Sequence, residues 1–439
     1  MFILALLTDH SGVPEPRQFA RTLFRPSLSA AEFQKGGVAV GYLTALCRVE
    51  APRPGPDGIR PSEKVLAAPS AGGRVAPVLQ GRALVTGSSG FIGYHVAARL
   101  RARGVHVRAL VRPSTPTQHL SELGVELHPG DVTDAGSVRK ALEGCDYLFH
   151  VAAFYTYSAP DPSEVYRTNV EGTRIVLGES RHLRRIVYTS TVGALGLNAD
   201  GSPATEETPV SESEMIGHYK TSKFRAQEIA QRLAGEGYPI VIVNPTAPVG
   251  PCDWKPTPTG QMIVDYMKGK MSAYVDTGLN LVAVEDVAEG HCLAAERGRI
   301  GERYILGNSN LHLREIFGEL EKLTGIPAPS VRLPHWVPLA AAAVSTGWGR
   351  LLRRRPALSL EEVRLSRKFM YFSAKKAVDE LGLPRSSPVE ALGRAVRWYR
   401  ENGYVQDRGG NRRKAIALVP EKATGLAGVR QPSGDGGRA

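Results

Sequence analysis

The chain has 439 residues, 42% apolar and 22% charged, with a formal net charge of +12, so it can bury a sizeable soluble core and holds room for two or three domains. The basic excess lies partly in the ends, +3 over residues 1–78 and +4 over 405–439, leaving +5 for the stretch between, which argues against a nucleic-acid-binding surface. No apolar run reaches the ~18 residues of a membrane span, and Cys47, Cys145, Cys252 and Cys292 are spaced for neither a zinc site nor a disulfide framework, which points to a reducing, cytoplasmic setting.

Residues 1–78 lack sustained periodicity and carry Pro, Gly and Ala clusters, so they are expected to be poorly ordered. The apolar stretch at 2–7 is too short for a signal-peptide core and has no basic segment before it. A start inside the chain is the alternative: after Met1 the next methionine is Met215, and Val78 would suit. The first clear element is an apolar strand at 83–85. Gly87, Gly90 and Gly93 follow it with the spacing G-x-x-G-x-x-G, and a helical pattern runs from Phe91 to a stop at Gly104. In such a turn Gly87 allows the tight bend, Gly90 lets the backbone approach a pyrophosphate, and Gly93 lets the helix pack on the sheet. The helix start then offers free N–H groups to phosphate.

Further strands are predicted at 106–111, 125–128, 147–151, 186–189 and 240–243, with helices at 91–103, 135–142, 162–179 and 219–234. Alternating βα units with short apolar strands predict a doubly wound parallel α/β sheet (a Rossmann sheet) covered on both faces. Residues 79–250 would form this dinucleotide-binding domain. Residues 251–404, rich in Pro, Thr and Gly loops, would form a smaller substrate lobe with interleaved contributions to the sheet. Residues 405–439 are expected to be a disordered tail.

At the end of the second strand stands Arg112, where an acid would select a free ribose 2′-OH and an arginine accommodates a 2′-phosphate. NADP is therefore preferred, with NAD as the alternative. Gly130-Asp131-Val132 follows the third strand and is placed for the adenine edge. Tyr219 and Lys223 share a helix face at i, i+4. A free tyrosine has a pKa near 10, and a lysine cation beside it favours the phenolate needed for acid–base work. That spacing is common by chance, but Tyr188-Thr189-Ser190-Thr191 ends the fifth strand, where a hydroxyl faces the crevice.

These motifs, together with Thr86-Gly-Ser-Ser-Gly-Phe-Ile-Gly93, His150-Val-Ala-Ala153, Asn169-Val-Glu-Gly-Thr173 and Asn244-Pro-Thr-Ala-Pro-Val-Gly-Pro251, resemble the extended short-chain dehydrogenases/reductases of the NAD-dependent epimerase/dehydratase family over residues 79–404. Within it the chain is most similar to hopanoid-associated sugar epimerases and dihydroflavonol-reductase-like proteins, through Asp200-Gly-Ser-Pro-Ala, Lys255-Pro-Thr-Pro-Thr-Gly, Tyr274-Val-Asp-Thr-Gly-Leu-Asn-Leu-Val and Gly301-Glu-Arg-Tyr-Ile-Leu-Gly. The resemblance implies an oxidoreductase or epimerase with hydride transfer at a secondary alcohol or ketone. It gives Thr191 the substrate hydrogen bond, Tyr219 the proton transfer, and Lys223 the ribose contact and the activation of Tyr219. It implies cofactor contacts at Gly87, Gly90, Phe91, Ile92, Gly93, Arg112, Asp131, Val132, Val151, Ala152, Ala153, Tyr219, Lys223, Pro245 and Thr246, and no metal. A small-molecule or lipid-linked polyol or sugar is the expected substrate, with no nucleic acid, at most peripheral membrane contact, and a homodimer compatible with the pattern.

Two departures stand out. Leu279 occupies the place of the arginine that clamps the pyrophosphate in nucleotide-sugar epimerases, just before a strand expected over 280–287, so that clamp is lost. Asn244 stands where many relatives carry an arginine. Both bring a reductase closer. The rival reading is a cofactor-gated binding or regulatory protein of the same fold; such proteins usually lose the Tyr or the Lys, and both are present here. Phe154-Tyr-Thr-Tyr157 could line the pocket or pack under the lobe, and His218 reads as a cap or surface residue. The stretch 336–352, with its basic end, could touch an anionic membrane or be a packed helix with a solvated end.

Overall fold

The computed structural model describes residues 79–155, 161–340, 342, 363 and 366–405. The expectations for residues 1–78, for the chain beyond 405, for Tyr157 and for most of 336–352 lie outside the described residues.

Seven short strands form one parallel sheet: β1 Arg82–Thr86, β2 His106–Val111, β3 Glu126–Pro129, β4 Tyr147–His150, β5 Arg185–Thr189, β6 Ile240–Pro245 and β10 Arg303–Leu306, in the order β10-β6-β5-β4-β1-β2-β3. Each neighbouring pair is parallel. The strands are apolar on both faces because both faces are covered. Ala83, Val85, Phe149, Val187, Val241 and Val243 point into one core. Leu84, Leu148, Ile186, Tyr188, Ile240 and Ile242 point into the other.

The first face is covered by α1 Phe91–Ala102 and α8 Val284–Arg297, which pack along each other, and a short α2, Gln118–Glu122, joins β2 to β3. The second is covered by α3 Ala135–Leu142, α5 Gly172–Gly178 and α6 Gly217–Gly235. Asp134 starts α3 by accepting hydrogen bonds from the Gly136 and Ser137 N–H groups. The stretch 162–179, expected as one helix, is α4 Pro162–Tyr166, a π-helical turn at Arg167–Glu171, and α5. The π turn buries Asn169.

The chain between β6 and the end adds short elements: β7 Ala247–Val249, α7 Pro258–Met267, β8 Ala273–Val275, β9 Gly278–Ala283, β11 Ser309–His312, α9 Leu313–Thr324, β12 Val331–Leu333 and α10 Pro388–Glu401. They build a three-stranded sheet in the order β11-β9-β7 and a β12-β8 pair. The strand expected over 280–287 is corrected. It spans Gly278–Ala283, and the chain turns helical at Val284 because Val284, Val287 and Ala288 are needed on the buried face of α8. Strand β10 was not anticipated. It takes the sheet edge beside β6, with Arg303 opposite Ile242 and Leu306 opposite Pro245.

Candidate active site

The strand order reverses between β1 and β4, so a crevice opens beyond their C-terminal ends. The glycine turn lies there. Gly87 has φ +71°, and a side chain on it would meet the Ala152 backbone at 2.6 Å. At Gly93 a Cβ would overlap the Gly87 carbonyl, 2.6 Å from its carbon, and lie 2.9 Å from Ser88 Cα. The fold itself therefore requires both glycines. Gly90 differs. Its φ of −91° and ψ of 171° suit any residue, and a Cβ there would meet only the Gly87 oxygen, at 3.3 Å. Space outside the protein is the remaining reason for glycine at 90, which fits a ligand lying against the turn. The Phe91 and Ile92 side chains go inward, Phe91 buried and Ile92 against the first core. Their N–H groups open α1, where a helix has no partners of its own for them.

The second wall is the segment after β4. His150 is buried, with Nδ1 2.7 Å from Thr86 Oγ1 and Nε2 3.1 Å from Thr173 Oγ1. Burial, with the Lys223 cation adding to it, pushes this imidazole down to about 3, so it is neutral at physiological pH. The Ala152 N–H donates to the same Thr86 hydroxyl, which holds Val151, Ala152 and Ala153 against the turn. Asn169 fixes the segment further on. Its Oδ1 accepts from the Phe154 N–H at 2.7 Å, and its Nδ2 donates to the Phe154 carbonyl at 3.2 Å and to Ser222 Oγ at 3.0 Å. One side chain thus ties the crevice wall to α6. His150 and Asn169 stood in recognisable motifs, but nothing in the sequence separated their clamping roles from their neighbours.

On the other side of the crevice, α6 carries Tyr219 and Lys223 one turn apart, both buried. The helix begins at Gly217, two residues before the expected start. Lys223 Nζ donates to the Thr189 carbonyl at 2.6 Å and the Tyr188 hydroxyl at 3.1 Å, and lies 4.7 Å from the Tyr188 ring centre. Burial pushes its amine down to about 7. Thr191, just past β5, caps a 3-10 turn at Val192–Ala194 by accepting the Gly193 N–H at 3.1 Å. Its carbonyl accepts from Asn244 Nδ2 at 2.9 Å, and the same amide donates to Gln227 Oε1 at 2.8 Å. Asn244 therefore holds Thr191 in place from the buried end of β6. The Tyr155 ring meets the Tyr219 ring edge to face at 4.5 Å. His218 reaches the Tyr166 hydroxyl at 3.3 Å on the surface.

At the far end of the crevice Arg112 is exposed just past β2. Asp131, after β3, binds the Thr133 N–H and hydroxyl at 2.9 and 2.8 Å. Burial opposes the ionised form of Asp131, but these bonds and the charges of Arg112 and Arg167 outweigh it and lower its carboxyl below the ordinary value. Arg167 was not singled out from the sequence; its position beside Asp131 depends on the π turn. Val132 packs on Gly172. Pro245 ends β6 against Leu306, and Thr246 donates through its N–H and its hydroxyl to the Leu306 carbonyl. Leu279 pairs with Leu311 and is partly buried against the first core. Two buried hydroxyls in the crevice walls, Ser88 Oγ and Ser190 Oγ, have no hydrogen-bond partner among the described residues. Among those residues no group of His, Cys, Asp or Glu side chains is placed to hold a metal ion, and no helix is long and apolar enough to cross a membrane.

Residues 83–307 match the model of the NAD dependent epimerase/dehydratase family. A Synechocystis protein provisionally named a dihydroflavonol 4-reductase is 44% identical over 328 residues, 73% of this chain and 95% of that protein. Sterol demethylase protein B of Methylococcus capsulatus is 35% identical over 326 residues, 73% of this chain and 99% of that protein. Among solved structures, gox2253 superposes with a TM-score of 0.68 at 46% identity, covering 74% of this chain and 99% of its own.

Proposed function

The chain belongs to the NAD dependent epimerase/dehydratase family, and from that premise we propose that it is a reductase or dehydrogenase acting at a secondary alcohol or its ketone, with NADP preferred over NAD. The observation that carries the reading is the disposition of Thr191, Tyr219 and Lys223: a hydroxyl past the end of β5, a phenol on the helix beside it, and a buried amine hooked on the β5 carbonyl of Thr189.

A nicotinamide held in the crevice would supply or accept the hydride. The protein's own residues handle the proton. Thr191 Oγ1 accepts the Gly193 N–H, which leaves its O–H to donate to the substrate oxygen. Tyr219 gives a proton to that oxygen in reduction and takes it back in oxidation. Lys223, whose amine burial pushes down to about 7, shares the helix face of Tyr219, and in its protonated form it favours the ionised phenol. The neutral His150 and the clamp of Asn169 keep the second wall in register with α6.

For the cofactor, the spare space at Gly90 supports a dinucleotide, and the arginine charge beyond β2 supports NADP over NAD. Arg112 and Arg167 both act on Asp131, so positive charge gathers at this end of the crevice, and a guanidinium such as Arg112 would pair with a 2′-phosphate. For the substrate, Leu279 offers no cation to a pyrophosphate, which favours a reductase over a nucleotide-sugar epimerase. The similarity to a protein named for sterol demethylation supports a lipid-borne alcohol, in line with the lipid-linked polyol implied by the hopanoid resemblance. The test is to identify any copurifying nucleotide by mass spectrometry and to titrate the protein with NADPH and NADH by fluorescence. Tighter binding of NADPH is expected. Binding of neither would end the oxidoreductase reading.

A further inference from the structure

Lys220 follows Tyr219 in the first turn of α6, and none of the chemistry above uses it. It is only 8% exposed, yet its ammonium has no hydrogen bond and no acidic partner among the described residues. A buried lysine is normally paired. Three features make this one more costly. Most of its surface is taken out of water. It stands near the positive end of the helix dipole, where a cation is disfavoured. The neighbouring charge that acts on it is Lys368, another cation. Burial and that like charge push its amine down to about 8, so at pH 7 most of it still carries its charge.

Its position gives the arrangement a use. Lys220 Cε and Thr191 Oγ1 each lie 3.4 Å from the place a Cβ on Gly193 would take, so the two are within twice that distance of each other. The aliphatic stem passes under the turn at Val192–Ala194, beside the hydroxyl assigned to the substrate oxygen. The second cation, Lys368, is exposed in the segment that leads to Phe372, and Phe372 packs with Val192 and Leu195 of that turn. Lys220 and the exposed Lys368, which also has Glu214 in its field, therefore lie on the side of the Val192–Ala194 turn that the Phe372 segment covers.

Resting on the oxidoreductase reading, we propose that Lys220 binds an anionic group of the substrate, a carboxylate or a phosphate, close to the reacting carbon, with Lys368 adding to the field. An anion here would repay the cost of the buried ammonium and fix which end of the substrate meets Thr191 and Tyr219. The substrate is then an acid or a phosphate ester that also bears the alcohol or ketone, and a wholly neutral polyol would leave the cation unsatisfied.

The test uses the protein saturated with NADP, so that the glycine turn is filled, and inorganic phosphate and acetate as separate probes at constant ionic strength with chloride as the reference. Thermal melting is followed for the wild type, Lys220→Met and Lys220→Gln. Without probe, both variants should melt at or above the wild-type temperature, because each removes an unpaired buried charge. A phosphate-specific or acetate-specific rise in the wild type assigns the group, and the apparent affinity for that probe should fall at least ~10-fold in both variants, the scale of a lost charge-assisted hydrogen bond. No anion-specific rise in the wild type overturns the proposal. So does a rise that the variants retain, or variants that melt well below the wild type without probe. The change in melting temperature on adding NADP reports on the cofactor reading by itself, so failure there is distinct from failure at Lys220.

Discussion

Alanine at Gly93 and alanine at Gly90 should have opposite effects although the positions are three residues apart. At Gly93 the new methyl would overlap the Gly87 carbonyl and stand 2.9 Å from Ser88 Cα, all backbone atoms that cannot rotate away. The start of α1 would have to move outward by roughly 1 Å to restore ordinary contact, stretching the 3.0 Å bond from the Gly90 N–H to the Gly87 carbonyl. The cost belongs at the upper end of core overpacking, about 3 kcal/mol. At Gly90 the backbone angles are ordinary and the single contact, 3.3 Å to Gly87 oxygen, yields to a shift of a few tenths of an ångström. The weaker helix start offered by alanine is offset by the lower entropy of its unfolded chain, so stability should change by no more than about 1 kcal/mol. Its methyl, however, occupies the space against which a pyrophosphate would lie. Urea unfolding and NADPH fluorescence titration on both variants separate the effects. Gly93→Ala should lose its stability first, and Gly90→Ala should keep its unfolding midpoint while binding the nucleotide at least ~10-fold more weakly. If Gly90→Ala binds both nucleotides as the wild type does, the turn does not hold a dinucleotide. If Gly93→Ala is as stable as the wild type, the packing argument is wrong.

Tyr219→Phe should keep cofactor affinity and lower turnover by on the order of 10²–10⁴-fold, the range for loss of a general acid; turnover near the wild-type rate would remove Tyr219 from the proton path. Arg112→Asp should weaken NADP binding by at least ~2 kcal/mol through loss of one guanidinium and addition of a like charge, with NAD binding held or improved. Paired titrations check this, and an unchanged ratio would make Arg112 a plain surface charge. The third expectation concerns pH. Lys223 titrates near 7 in the fold because of burial and near 10.4 when unfolded. Below pH 7 both states are protonated and the burial cost is fully present. As pH rises from 7 towards 10 the folded state sheds its proton first, so stability of the cofactor-free protein should rise across that window. Lys220 acts in the same direction from about 8. Lys223→Met should flatten part of the slope of urea midpoint against pH, and an identical slope would show that the amine is not held in a dry site.

The strand–turn–helix opening was legible because three independent signals agree there: a short apolar run, glycines at fixed spacing, and an apolar stripe at helical period. The doubly wound parallel sheet also followed from alternating elements, since each βα unit is local. Strand β10 escaped because it is four residues between Gly301 and Gly307 and has a partner, β6, about 60 positions back. The stretch 280–287, whose apolar residues 281–284 and 287 are interrupted by Glu285 and Asp286, reads equally as strand or buried helix, and only the contact of α8 with α1 decides where one becomes the other. Lys220 was invisible for a related reason. In Tyr-Lys-Thr-Ser-Lys both lysines look like ordinary helix surface, and burial is set by the turn at Val192–Ala194 and the segment near Lys368, both remote in sequence.

The placement of α8 and β10 also bears on how the chain acquires its structure during synthesis. Strands β1 to β6 are complete once residue 245 has been made. Yet one face of their sheet is closed by Val287, Ala288, Leu293 and Ala294 of α8, and the free edge of β6 is paired only by Arg303–Leu306. Until about residue 306 leaves the ribosome, the nascent sheet has one face covered by α1 alone and an unpaired parallel edge, the two features that most invite aggregation. A chain cut after residue 250 keeps the glycine turn, Tyr219 and Lys223, and would stay in that exposed condition permanently. The crevice therefore matures late, and its earliest-made residues wait on a helix and a strand encoded some 200 positions downstream.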